Sequence, residues 1–417
     1  MTPTDQARLL DELKPGLSVF VQGATVEPQD LIAALKSDPD RSRGVRFTAP
    51  LLPGINGFDY AGLHADARLT SFMASDTLRA STEAGRVRIP PLSYSQIARA
   101  VAAETFDLVV LHLTRPDARG QCSFGVSGDF GPLVWRKAKR RIGILNSAMP
   151  RPPRAETLPV EALDLILETD QPLPRERELI SSPALDAVSI HVAGLIPDNA
   201  ALQTGIGGAP ASVLGRLRDR RGLVIRSGMV TEGYRALHEA GALAADGAHV
   251  TGIAYGSEDF YGWLAETDLA TFASVERTHG AAALARTPRF TSINSALEVD
   301  LFGQANLEWR GRRAVSGVGG APDFARGATA SEGGMSIIAL PSTAGAKPGA
   351  PAISRIVARL DCPTVSLTRH EVDVVVTEHG VARLRGRCPE ERAQALIAVA
   401  APEHQSALAD AWRDFKR

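Results

Sequence analysis

Short apolar runs alternate with helical patterns through the first half of this 417-residue chain, and that rhythm limits its fold more than any other feature. Leu17–Val21 reads as a strand, Pro28–Lys36 as a helix, Val45–Ala49 as a strand, Ile97–Ala103 as a helix and Leu108–Leu113 as a strand, with a further strand over Arg141–Asn146. Short strands separated by helices are the pattern of βαβ units, in which parallel strands share a sheet and helices cover its faces. APLLPGINGF (49–58) and IPPLSY (89–94) interrupt the rhythm at strand ends, where open α/β sheets place ligand loops.

The alternation breaks once and resumes. The segment TDQPLPRERELISSPALDA (169–187) is rich in proline and charge, and a fresh helical pattern runs from Val188 to Ile196. A helix over Ala211–Asp219, a strand over Leu223–Arg226 and a helix over Tyr234–Gly241 follow. A chain of this length exceeds what one hydrophobic core usually serves. The expected division lies near residue 185, giving one α/β domain over 1–185 and another over 186–417.

Apolar residues make up 44% of the chain and charged residues 22%, with a net charge of -1, the balance of an ordinary globular protein. Nucleic acid is therefore not an expected partner. The run RKAKRR (136–141) reads as a solvated helix face, with an anionic small molecule as the alternative. Cys122, Cys362 and Cys388 have no C-x-x-C spacing, so no metal site is expected. The N-terminal segment lacks the basic and apolar regions of an export signal, and no apolar run reaches about 18 residues, so the expectation is a cytoplasmic protein without a membrane partner.

A glycine-rich loop occurs twice in the second half, as GIGGAP (205–210) and GVGGAP (317–322). Such loops either make tight strand-to-helix turns or bring backbone N–H groups to an anion or a developing oxyanion. Asp323, just after the second copy, reads as a helix cap or a site residue. Between the copies, Leu297, Val299 and Leu301 alternate with Glu298 and Asp300, the period of a strand with one carboxylate-bearing face. That face is either exposed or available for acid/base work. Downstream strands end in Ser342, Arg355, Glu378 and His379, a gathering that points to one shared site. The patterns G-x-S-x-G, H-E-x-x-H, G-x-x-x-x-G-K-[ST] and G-x-G-x-x-G do not occur.

The ordered set LTRPDARGQCSFG (113–125), LNSAMPR (145–151), LQTGIGGAP (202–210), INSALEVDLFGQAN (293–306), SGVGGAPDFARGA (316–328), IIALPSTA (337–344), ISRIV (353–357) and VVVTEHGVARLRG (374–386) resembles the acetyl-CoA hydrolase and CoA-transferase family, the group that includes acetate and 4-hydroxybutyrate CoA-transferases. The resemblance implies two related open α/β domains with the active-site cleft between them. It implies acyl-CoA and a small carboxylate as substrates, no tightly bound cofactor, and a homo-oligomer. It also implies a ping-pong reaction in which a glutamate attacks the thioester and becomes a glutamyl-CoA thioester. In that setting Gly205, Gly207, Gly208, Gly317, Gly319, Gly320 and Asp323 are expected at the oxyanion and CoA, and Gln203, Asn294, Ser342, Arg355, Glu378 and His379 along the cleft. Arg136–Arg141 and Arg355 are candidates for the CoA phosphates.

One departure changes the chemistry. In LVIRSGMVTEG (223–233), Gly228 stands where the family pattern has its nucleophilic glutamate, and a glycine cannot form the covalent intermediate. Three readings follow: an enzyme that uses water, with Glu232 or Glu298 as general base; a transferase in which Glu232 reaches the thioester; or a silent acyl-CoA binder, or a subunit whose partner supplies the glutamate. Ser227 reads as a turn residue.

Overall fold

The computed structural model describes residues 1–176, 182–345 and 352–415, so part of the expected boundary segment, 177–181, lies outside the described residues. Seven strands form the first main sheet: β1 (Ser18–Val21), β2 (Arg46–Thr48), β3 (Arg68–Thr70), β4 (Val87–Arg88), β5 (Leu108–Thr114), β6 (Arg140–Asn146) and β7 (Leu165–Thr169). They lie in the order β4-β3-β2-β1-β5-β6-β7, all neighbours parallel. The central strand β5, LVVLHLT, is buried at every position, which is why it reads as a continuous apolar run and does not alternate.

The second sheet repeats the plan. It contains β8 (Ala201–Thr204), β9 (Val224–Val230), β10 (Val250–Ala254), β11 (Thr271–Phe272), β12 (Phe290–Asn294), β13 (Met335–Ala339), β14 (Val374–Thr377) and β15 (Gly380–Arg383). The order is β11-β10-β9-β8-β12-β13-β14-β15, parallel except for the final β14–β15 hairpin. Each sheet reverses its strand order once, between β1 and β5 and between β8 and β12. At such a reversal the flanking connections depart to opposite faces and leave a crevice at the carboxyl ends of the strands.

The two sheets share apolar contacts. Met229, Ile253 and Val275 from the second half join Phe20, Phe124 and Phe130 in one buried cluster, and Val26 and Val126 join the core of the second sheet. Backbone hydrogen bonds cross the same junction, from Gly128 N to Gly252 O at 2.9 Å and from Ala254 N to Val126 O at 2.8 Å. The backbone of Ala273 passes so close to Gly128 that a Cβ there would meet three of its atoms at 2.7–2.9 Å.

Two local details differ from the sequence reading. The helix after the first glycine loop starts at Gly208, not Ala211, because Pro210 is tolerated in a first turn whose N–H groups have no helical acceptor. Strand β9 continues to Val230, so Ser227 is a buried strand residue and not a turn residue, paired with Thr251 in β10. Among the described residues, no helix is long and apolar enough to cross a membrane.

Candidate active site

The carboxyl ends of both sheets face a shared cavity of about 290 Å³. Its second-sheet wall is made by Thr204–Ile206 after β8, Gly228 and Met229 in β9, Asn294 and Ser295 after β12, and the loop Gly317–Gly320. Leu52, Pro53, Met73, Tyr94 and Asp129, all from the first half, close the opposite side. A second space of about 170 Å³ shares Pro53, Thr204–Ile206 and Met229 with it and extends to Gly207, Glu176 and Tyr255. The cavity therefore sits beside the β8/β12 reversal, where the topology opens the sheet.

Both glycine loops border this cavity, and their close packing explains much of their composition. Gly205 N–H donates to Ile293 O at 2.8 Å, and a Cβ on Gly205 would stand 2.6 Å from Asn294 Oδ1. Gly207 and Gly319 take positive φ values of 134° and 57°, which disfavour a side chain. Gly317 packs on the backbone of Phe72, where a Cβ would meet its carbonyl oxygen at 2.6 Å. Among the described residues, the N–H groups of Ile206, Gly207, Val318, Gly319 and Gly320 have no acceptor. Gly208 opens its helix and lies outside the lining of both spaces.

Gln203 and Asn294 line the cavity and bond each other at 3.2–3.3 Å through their amides, across adjacent strands. Gly228 leaves a bare stretch of wall. A Cβ built there would lie 3.1 Å from His279 Cε1, 3.2 Å from its Nε2 and 3.5 Å from Phe324. His279 follows the short helix Val275–Thr278, and its ring lies against those of Tyr94, 4.9 Å away, and Phe324, 4.4 Å away, both tilted relative to it. Burial pushes its pKa down to about 3, so the ring is neutral at ordinary pH. Asp129, also on the wall, has no hydrogen-bond partner for its carboxyl among the described residues, and burial raises its pKa to about 7. Glu176, on the adjoining space, is raised to about 7 by burial and then by the charge of Glu232.

The other sequence candidates lie elsewhere. Glu232 opens the helix Glu232–Glu239 and accepts from the Ser257 hydroxyl and backbone N–H, outside the lining of both spaces. Glu298 accepts from Asn306 Nδ2 at 3.1 Å on a small sheet away from the cavity. Asp323 is buried at the start of the helix Tyr94–Ala103, accepting from Ser93 Oγ at 3.0 Å, Ser95 N at 2.9 Å and Ser95 Oγ at 2.6 Å. Ser342 donates twice to Glu378, at 2.7 Å each, and His379 lies 3.7 Å from the same carboxylate. Arg355 donates to the backbone oxygens of Ala296 and Leu297, bracing the chain just after Asn294 and Ser295, and burial lowers its pKa. The basic run is a turn leading into β6 and not the expected helix face; within it Arg140 pairs with Glu12, Lys139 with Asp107 and Arg141 with Asp164. Among the described residues, no cluster of three or more His, Cys, Asp or Glu side chains is arranged to hold a metal ion.

Sequence reasoning missed His279, Asp129 and Tyr94. Asp129 had a readable cue, an acid flanked by glycines in SGDFG (127–131). His279 had none, because Tyr94, Gly228, Gly320 and Phe324 meet it only in space.

The whole chain has relatives. A 4-hydroxybutyrate coenzyme A transferase from Clostridium kluyveri is 32% identical over 403 residues, 94% of this chain and 92% of the relative. The chain belongs to the acetyl-CoA hydrolase/transferase family. The C-terminal domain that defines this family matches residues 256–412. An acetyl-CoA hydrolase from Neurospora crassa is 33% identical over 212 residues, 49% of this chain and 38% of that protein. Among solved structures, RipA from Yersinia pestis superimposes with a TM-score of 0.91 at 28% identity, covering 99% of this chain and 97% of RipA. A 4-hydroxybutyrate CoA-transferase from Porphyromonas gingivalis gives 0.79 at 29% identity, covering 98% and 96%. As a member of this family, the chain has the two related α/β sheets with a cavity between them that the resemblance implied.

Proposed function

We propose that this protein hydrolyses the thioester of a small acyl-CoA with water and does not relay the acyl group through a glutamyl intermediate. The observation that carries this reading is the composition of the cavity wall. By the family resemblance, residue 228 is the nucleophile position; Gly228 offers no carboxylate there, and neither Glu232 nor Glu298 lines the cavity. Among the described residues, the wall also contains no Lys or Arg. A second carboxylate, which transfer would require as acceptor, would find neither a glutamyl thioester to resolve nor a cationic side chain to hold it, whereas water needs neither. The thioester and a short acyl chain suit the same chamber, with the CoA phosphates outside it. The free N–H groups of the two glycine loops are donors of the kind that stabilise a tetrahedral oxyanion, each worth a few kcal/mol, roughly 3, when preorganised.

The reading is tested by mixing protein, acetyl-CoA and a thiol reagent, with and without acetate or butyrate. Release of free CoA at a rate indifferent to the acceptor supports hydrolysis. Exchange of CoA onto the acceptor, together with borohydride inactivation that requires prior exposure to acyl-CoA, would reveal a nucleophilic carboxylate and overturn it. Measurable CoA binding with neither reaction would leave a non-catalytic acyl-CoA binder, or a subunit needing a partner, in its place.

A further inference from the structure

The space next to Gly228 is filled by an imidazole held in a defined orientation. A Cβ on Gly320 would stand 2.4 Å from His279 Nε2, and one on Gly228 3.2 Å from the same atom, so this edge of the ring lies between β9 and the second glycine loop. Tilted ring contacts with Tyr94 and Phe324 hold the imidazole in place. Its other nitrogen, Nδ1, is 2.8 Å from Thr278 Oγ1, and that hydroxyl is itself placed to donate to Ser274 O and Val275 O, both at 3.4 Å. When that hydroxyl accepts from Nδ1–H, the lone pair of the neutral ring is left on Nε2. Nε2 has no partner among the described residues, and His279 lines the cavity.

We propose that His279 is the general base of the thioester hydrolysis, acting through Nε2 from the space a residue-228 side chain would otherwise enter. In this step, which rests on the hydrolytic reading above, a water oxygen attacks the thioester carbonyl carbon and its proton passes to Nε2. The carbonyl oxygen becomes an oxyanion facing the loop N–H groups. When the tetrahedral intermediate collapses, the C–S bond breaks and the imidazolium returns the proton to the departing CoA sulfur. One water is consumed, and a carboxylic acid and CoA thiol are formed. Burial keeps the ring neutral, so Nε2 enters the reaction unprotonated, and by the same cause it is a weaker base than a free imidazole.

The test compares wild type with His279→Gln, His279→Ala and Asp129→Asn, measuring CoA release, CoA binding by calorimetry and thermal unfolding. General-base removal is expected to lower kcat by about 100-fold or more in His279→Gln, with CoA affinity retained. In His279→Ala the vacated slot between Tyr94 and Phe324 should admit free imidazole, which is expected to restore at least about tenfold of the lost rate. A packing role would not produce rescue, so a folded, CoA-binding His279→Ala that is slow and not rescued overturns the assignment. So does a His279→Gln that hydrolyses within about threefold of wild type, or an Asp129→Asn that abolishes release while His279→Gln does not; in both cases hydrolysis itself stands. A wild type that releases no CoA overturns the hydrolytic reading and this one together.

Discussion

Two residues in the cavity carry opposite electrostatic burdens from the same cause. Burial without a counter-charge lowers the pKa of His279 to about 3 and raises that of Asp129 to about 7. For Asp129 the sign is destabilising. The native state holds a proton that the unfolded chain has released, so stability falls as pH rises from about 4 to about 7 and levels off above that. Asp129→Asn removes this term, and its stability relative to wild type, read from urea unfolding, is expected to rise across that window by a few kcal/mol, on the order of 3. A difference that is flat with pH would show that Asp129 is not desolvated. Gly228 can be tested at the same scale. Gly228→Glu places a Cβ against the His279 ring and Phe324, so alone it is expected to destabilise by about 1–3 kcal/mol and to transfer CoA poorly. Combined with His279→Ala, which clears the path, it should gain borohydride-sensitive transferase activity. Equal activity in the single and double variants would show that His279 does not block residue 228.

At the scale of elements, the second glycine loop and the helix Tyr94–Ala103 are one assembly. Tyr94 N–H donates to Gly319 O at 3.0 Å, and Asp323 supplies three acceptor contacts at the helix start, where a carboxylate also suits the positive end of the helix dipole. This assembly presents Tyr94 to His279. Asp323→Ala leaves buried donors unpaired and is expected to cost about 2–4 kcal/mol in urea unfolding. It should also slow CoA release more than it weakens CoA binding, because it frees the wall that orients the imidazole. Unchanged stability would sink the capping role. Asp323 was legible as a cap or a site residue from GGAPD, but the helix it serves lies more than two hundred positions earlier and no local pattern names it.

At the scale of the whole molecule, the site exists only because two sheets of like topology dock with their carboxyl ends together. Gly128 marks how close that docking is, with the Ala273 backbone where its side chain would be. Gly128→Ala is expected to push the sheets apart, destabilising by about 3 kcal/mol and turning one calorimetric transition into two. A single, unshifted transition would show that the junction tolerates the extra carbon. The cavity would widen with the same displacement, so CoA release should fall even where each half stays folded.

The alternation of apolar runs and helices determined the α/β class, because burial on both faces of a parallel sheet demands continuous apolar strands and a helix between them. Most strand positions followed from that alone, as did the family, from motifs in order along the chain. Tertiary structure decided which polar residues share the site. Glu232, Glu298, Ser342 and Glu378 sit at strand or helix ends in the sequence and bond to neighbours outside the cavity. His279 stands in a segment without a signature, Asp129 had only its flanking glycines, and the two line one cavity across the docked sheets. The sequence records local periodicity, whereas an active site is a set of distances between distant positions, and only the packed chain fixes those.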